Sequence, residues 1–300
     1  MKPSWRAVDG IVLLDKPAGL SSNTALQRVR RLFQAEKAGH AGSLDPLATG
    51  MLPVCFGQAT KLCQFLLDSR KEYRVSARFG ESRDTGDAEG QVSGQSDPSG
   101  LTEAQLRAAA LRFIGEIGQV PPMYSALKHE GRRLYELARA GETVEREART
   151  VTIERLDILR WQSPILEFEV RCSKGTYVRT LVEDLARAVG QAAHVVVLRR
   201  TVVSPFDAGG MVTLDQLETD AAGGYTALDR HLRPMLEALA GWTQVELPEL
   251  QVRQAAQGQT VETRRPLVAG PVALVARGRL LGIGEAQADG RICPRRWLAA

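Results

Sequence analysis

From Tyr73 to Phe79 the apolar side chains Tyr73, Val75, Ala77 and Phe79 alternate with Arg74, Ser76 and Arg78. A period of two sets the first group on one face of a strand and the second on the other, which no helix reproduces. The segments 151–159 and 165–171 repeat the alternation, so several strands have one buried face. Helical periods lie between them. Leu26, Val29, Leu32 and Phe33 recur behind Ser21 or Ser22 as cap, and Thr102-x-x-Gln105 forms a capping box ahead of Leu106, Ala110 and Phe113. A further helix runs over 177–189 and ends at Gly190. Strands and helices mix without a regular βαβ rhythm, which predicts an α+β fold with a mixed, largely antiparallel sheet.

Other segments locate turns and boundaries. The run Gly10-Ile11-Val12-Leu13-Leu14-Asp15 reads as a buried strand entering a turn at Lys16-Pro17-Ala18-Gly19. Residues 39–50 hold three glycines and a proline without any period, the mark of a loop of defined shape. Residues 80–101 read as a polar surface loop, and His129-Glu130-Gly131-Arg132 as a hairpin tip before a helix over 134–140, making 124–150 a candidate protruding arm. Past Gly241 short β-like pieces punctuated by Gly and Pro predict a small all-β module over 245–300, leaving 1–241 as the main domain.

No run of about 18 apolar residues occurs, and no apolar stretch follows the basic start, so a cytoplasmic protein without membrane insertion is expected. Cys55, Cys63, Cys172 and Cys293 lie far apart, and the four histidines never take a zinc-binding spacing. Chemistry without a metal or cofactor is the expectation. The net charge of +4 is small, but the basic excess concentrates in 1–79, 171–200 and 245–300. Those segments could meet as one phosphate-binding face or stay ordinary solvated charge.

Glycines on both sides of Asp45 let the backbone bring that carboxylate close to a ligand, although Asp-Pro alone is a common turn starter. The whole string Gly39-His40-Ala41-Gly42-Ser43-Leu44-Asp45-Pro46-Leu47-Ala48-Thr49-Gly50 closely resembles the signature of the TruB family of tRNA pseudouridine synthases. Leu14-Asp15-Lys16-Pro17-x-Gly19-x-Ser21-Ser22-Asn23 resembles the family's opening motif, Lys71-Glu72-Tyr73-Arg74-Val75 its second and Cys172-Ser173-Lys174-Gly175-Thr176-Tyr177-Val178-Arg179-Thr180 its third. Matches continue at Pro122-Met123-Tyr124-Ser125, Ala193-His194 and Leu198-Arg199-Arg200, in order from about residue 9 to 214. The resemblance implies a sheet flanked by helices, with a PUA-like RNA-binding domain at 245–300.

It also implies the activity: isomerisation of uridine to pseudouridine at position 55 in the T-loop of tRNA, without a guide RNA, by a monomer. By position Asp45 is the catalytic aspartate, Arg179 its partner and Tyr73 the residue stacking on the uracil. Tyr177 and Leu198 line the pocket, and His40 takes the place of the flipped uridine. Lys16, Arg28, Arg30 and Arg31 are expected at backbone phosphates. Independently of the family, cutting N1–C1′ and joining C5–C1′ needs a carboxylate that attacks C1′, stabilises charge there or removes the 2′ proton, and the residues leave these routes open. Arg179 is expected to hold Asp45 ionised. Two other readings compete: an RNA-binding chaperone that folds tRNA, and a glycoside hydrolase, which would want a second carboxylate as general acid.

Overall fold

The computed structural model describes residues 5–263 and 267–299; residues 1–4, 264–266 and 300, which fall inside the ranges expected for the two domains, lie outside the described residues. The main sheet has nine strands. In chain order these are β1 (Gly10–Lys16), β2 (Ala38–His40), β3 (Thr49–Phe56) and β4 (Lys71–Phe79), then, after a separate hairpin β5 (Glu81–Arg83) and β6 (Val92–Gln95), β7 (Gly115–Gln119). The arm carries its own hairpin, β8 (Lys128–His129) and β9 (Arg132–Arg133), before β10 (Arg149–Gln162), β11 (Ile165–Cys172), β12 (Ala193–Val203) and β13 (Val212–Thr213) complete the sheet. Its spatial order is β13-β1-β3-β12-β4-β11-β10-β7, with β2 on β3. Only β1 with β13 and β3 with β12 run parallel, so the sheet is mixed and largely antiparallel.

Helices α1 (Ser22–Leu32), α3 (Glu103–Leu111) and α5 (Val178–Ala188) cover one face; α2 (Cys63–Asp68) and α4 (Leu134–Arg139) are shorter. Ser21 caps α1 by accepting from Thr24 N, and Thr102 with Gln105 closes the capping box of α3. The alternation in β4 puts Val75, Ala77 and Phe79 into the core beneath α5, whose Leu181, Val182 and Leu185 are buried there. In β1 the two sets of side chains serve two cores. Val12 and Leu14 join the first, whereas Ile11 and Leu13 join a second core with Met51, Cys55, Leu62 and Leu239. A strand covered on both faces has no polar side, which is why its sequence is a continuous apolar run.

The second core also takes Val275, Leu280 and Ile283 from the C-terminal sheet and Leu298 just past its last strand. That five-stranded sheet comprises Thr243–Glu246, Val261–Glu262, Gly270–Ala276, Arg279–Ala286 and Arg291–Trp297, with one short helix over Glu249–Ala256. The module is therefore packed against the back of β1 and β3, not tethered beside them. One expectation needs correcting: 80–101 is more than a polar surface loop. It contains the β5–β6 hairpin, and Asp87 within it is 3% exposed and bridges to Val195 of β12. Among the described residues no helix is long and apolar enough to cross a membrane.

Candidate active site

The loop between β2 and β3 is held from several sides. Ala48 N donates to Asp45 O at 3.1 Å, closing a tight turn around the carboxylate. Ser22, at the start of α1, clips Leu44 with its hydroxyl, accepting from Leu44 N at 2.7 Å and contacting Leu44 O at 3.0 Å. Lys16 Nζ donates to Pro17 O at 2.8 Å and Leu20 O at 2.7 Å and approaches Pro46 O at 3.4 Å. Gly50 sits where β3 meets β12, at φ +97°, and a Cβ there would come within 2.2 Å of Arg200 O. No other residue fits this position without moving backbone.

Asp45 ends up opposite α5. Its Oδ2 lies 2.9 Å from Arg179 Nε, with the carboxylate side chain 39% exposed and the guanidinium 5% exposed. The other arginine donors are engaged as well: Nη1 donates to Thr85 O at 2.6 Å and Nη2 to Tyr124 O at 2.7 Å. Asp87 stands on the far side, its Oδ2 3.7 Å from Nη1. Arg179 thus joins the 39–50 loop, the 84–87 turn and the base of the arm. Burial among protein atoms raises the Asp45 carboxyl above its ordinary range, Asp87 adds to this, and Arg179 and Lys16 pull it back only in part. Arg179 lowers the carboxyl as expected, but desolvation outweighs the ion pair, so the net direction is upward.

Two tyrosines flank this region and feel the charge of the same carboxylate. Tyr73, in β4, is paired in register with Arg200 of β12 and Val170 of β11, and burial raises its phenol while Arg200 opposes the shift. Tyr177 caps α5, and Gln119 clamps its backbone from both sides, accepting from Tyr177 N at 2.7 Å and donating to Tyr177 O at 3.0 Å. Its phenol is raised by burial. Asp45 contributes electrostatically to both tyrosines. Leu198 is 6% exposed and belongs to the main core beside Val75, two residues before Arg200. His40, half-buried at the end of β2, has a buried Nδ1 without a hydrogen-bond partner, and burial with the Arg200 charge lowers its pKa. Both effects favour the neutral imidazole.

Two of the expected phosphate contacts are placed otherwise. Lys16 is 0% exposed and its ammonium is spent on backbone carbonyls, with burial bringing its pKa down to about 8; it shapes the loop from beneath. Arg30 turns back to the end of its own helix, donating to Ala35 O and Glu36 O and stacking over Trp5. Arg28 and Arg31 are exposed. Sequence reasoning missed Asp87, Gln119, Ser22 in its clipping role and Arg200. The turn Asp84-Thr85-Gly86-Asp87 was the available signal for the first, since Gly86 at φ +74° would press any side chain against Arg179 and Glu183. Among the described residues no group of three or more His, Cys, Asp or Glu side chains gathers as a metal site.

Residues 30–178 match the model of the TruB family pseudouridylate synthase N-terminal domain, 179–240 that of the tRNA pseudouridylate synthase B C-terminal domain and 243–298 that of pseudouridine synthase II TruB, C-terminal. The chain is 53% identical over 293 residues to tRNA pseudouridine synthase B of Ectopseudomonas mendocina, covering 97% of this chain and 95% of the relative. It is 52% identical over 306 residues to the protein of the same name from Sodalis glossinidius, covering 99% and 98%. In fold it is similar to a chain from an H/ACA RNP bound to a substrate RNA containing 2′-deoxyuridine, with TM-score 0.75, 22% identity and coverage of 97% and 85%. A chain of a Cbf5-Nop10-Gar1 complex also superposes at TM-score 0.75, with 24% identity and coverage of 100% and 93%. With the motifs, the fold and near full-length identity in agreement, this chain belongs to the TruB family of pseudouridylate synthases.

Proposed function

We propose that this isomerase converts the uridine at position 55 of the tRNA T-loop into pseudouridine, with Asp45 acting at the ribose of a flipped nucleotide. The observation that carries the reading is the Asp45–Arg179 pair, a half-exposed carboxylate held at 2.9 Å by a buried, fully engaged guanidinium. Relatives over 50% identical along nearly the whole chain are named tRNA pseudouridine synthase B. The reaction breaks N1–C1′, turns the base, forms C5–C1′ and moves a proton from C5 to N1, so it is redox-neutral. The exposed side of Asp45 faces the substrate while Arg179 fixes its orientation. Pre-set geometry of this kind removes the cost of ordering the carboxylate during the reaction.

The uracil stacks on Tyr73, with Tyr177 and Leu198 closing the pocket. Extruding it costs a few kcal/mol, which aromatic contacts and the neutral His40 filling the vacated place offset. The exposed Arg28 and Arg31 meet backbone phosphates and give position, not sequence. The protein acts as a monomer in the cytoplasm, without guide RNA or cofactor. Asp45→Asn keeps the shape and removes the charge. Pseudouridine formation on a T-arm hairpin is expected to fall at least about 10⁴-fold, or roughly 5 kcal/mol, with hairpin affinity little changed. Turnover by that variant at more than a few per cent of the normal rate would sink the reading. A wild-type chain that refolds tRNA but forms no pseudouridine would favour the chaperone.

A further inference from the structure

Arg200 is the largest fully buried side chain among the described residues, at 1% exposure, and no carboxylate there lies within 4 Å of it. Its charge is met by backbone carbonyls instead. Nε donates to Met51 O at 2.7 Å, Nη2 donates to Gly42 O at 2.9 Å, and Nη1 lies 3.4 Å from Ser43 O. Two of these carbonyls precede Asp45 in the chain and the third follows it, so one guanidinium ties both ends of the loop. The backbone of Arg200 is meanwhile paired with Gly50 of β3 and with Tyr73 of β4. Loop, carboxylate and aromatic platform therefore share one reference point.

An apolar side chain of similar volume would leave the carbonyls of Met51 and Gly42 without their donor. What the guanidinium supplies and an apolar group does not is direction. Its planar fork aims separate N–H groups at separate carbonyls, whereas a lysine presents one compact ammonium and cannot span them. Its charge is felt by His40, Lys16 and Tyr73, and its contacts with Gly42 O and Ser43 O place the guanidinium three and two residues from Asp45 in the chain and not in a remote part of the core.

We propose that Arg200 is a positioning residue for the reaction, holding the 40–45 segment so that Asp45 meets both Arg179 and a base stacked on Tyr73. The inference rests on the reading of the site given above. The experiment compares wild type with Arg200→Lys in three measurements: hairpin dissociation constant, single-turnover rate of pseudouridine formation and thermal unfolding. Expected is a folded variant that binds within about threefold of wild type yet reacts at least about 30-fold more slowly in a single turnover, a loss of roughly 2 kcal/mol. A lower melting temperature with the single-turnover rate within about threefold of wild type would make Arg200 a packing residue and overturn the proposal. Should Arg200→Lys fail to fold, Gly42→Ala approaches the same contact from the loop. Gly42 has φ +88°, and a Cβ there would lie 3.4 Å from Nη1 of Arg200. The same split between binding and rate is expected for it, and an unchanged rate overturns the proposal. A wild-type chain that forms no pseudouridine overturns the reading of the site and this inference with it.

Discussion

Replacing Arg179 by Met would separate the electrostatic and positional parts of the Asp45 pair. The side chain is 5% exposed and gives one charge-assisted bond to Asp45 and two bonds to the carbonyls of Thr85 and Tyr124, with Asp87 close behind. Removing one partner of a buried pair costs about 3–5 kcal/mol. Because Asp45 is 39% exposed and partly screened, the lower end, about 3 kcal/mol, is expected, or roughly 6–12 °C in melting temperature. The bond orienting the carboxylate is itself worth about 2–3 kcal/mol, so the rate should drop about 30- to 150-fold at a pH where Asp45 is ionised. Burial already raises the Asp45 carboxyl and Arg179 opposes that shift, so the variant raises it further. The ionised form then appears only at higher pH, and the rate deficit shrinks as pH rises.

Stability moves in the opposite direction. A carboxyl whose folded pKa lies above its unfolded value binds more protons when folded, so folding weakens as pH rises through that interval. The extra destabilisation of Arg179→Met is therefore largest at neutral pH and shrinks toward acid. Single-turnover rates and urea melts across about pH 5 to 9 check both limbs. A rate deficit identical at every pH would refute the protonation argument, and a wild-type rate would refute the pairing itself.

Four further outcomes follow from the packing and the surface. Gly50→Ala, which drives a methyl within 2.2 Å of Arg200 O at φ +97°, should cost about 3–5 kcal/mol in urea unfolding, and a loss under about 1 kcal/mol would show that β3 and β12 can separate there. In fluorescence anisotropy with a T-arm hairpin, neutralising Arg28 or Arg31 should flatten the log K against log salt slope by roughly 0.7–0.9 for each one that meets a phosphate. Lys16→Met should leave that slope unchanged, because its ammonium is buried on carbonyls; a flatter slope would return Lys16 to the RNA interface. Truncation after Gly241 strips Val275, Leu280, Ile283 and Leu298 from the core behind β1, at about 1.5–3 kcal/mol each. That sum rivals the whole margin of a typical domain, so the truncated chain should aggregate or melt far earlier, and a soluble, fully active fragment would contradict the shared core.

The strands and helices of this chain were legible because each is governed by near neighbours. Alternation over 73–79 marked β4, the Thr102–Gln105 box marked the start of α3, and Gly190 marked the end of α5, all through interactions spanning a few residues. The motifs likewise named Asp45 and Arg179, since identity at a position is a property of the sequence, and the structure brings the two within 2.9 Å. Which charges are spent inside and which face outward was not legible. Lys16 looked like a phosphate contact and proved to be a buried clamp, while Asp87 sat in a segment polar enough to read as surface. Both outcomes depend on partners distant in the chain: Pro46 O lies 30 positions from Lys16, and Arg179 lies on α5, opposite the 84–87 turn. Composition also could not show that the C-terminal module shares a core with β1, because an apolar strand looks alike whether one body or two cover it. Local periodicity determines what an element is and which residues it carries, whereas desolvation and the pairing of charges are settled only when distant segments meet.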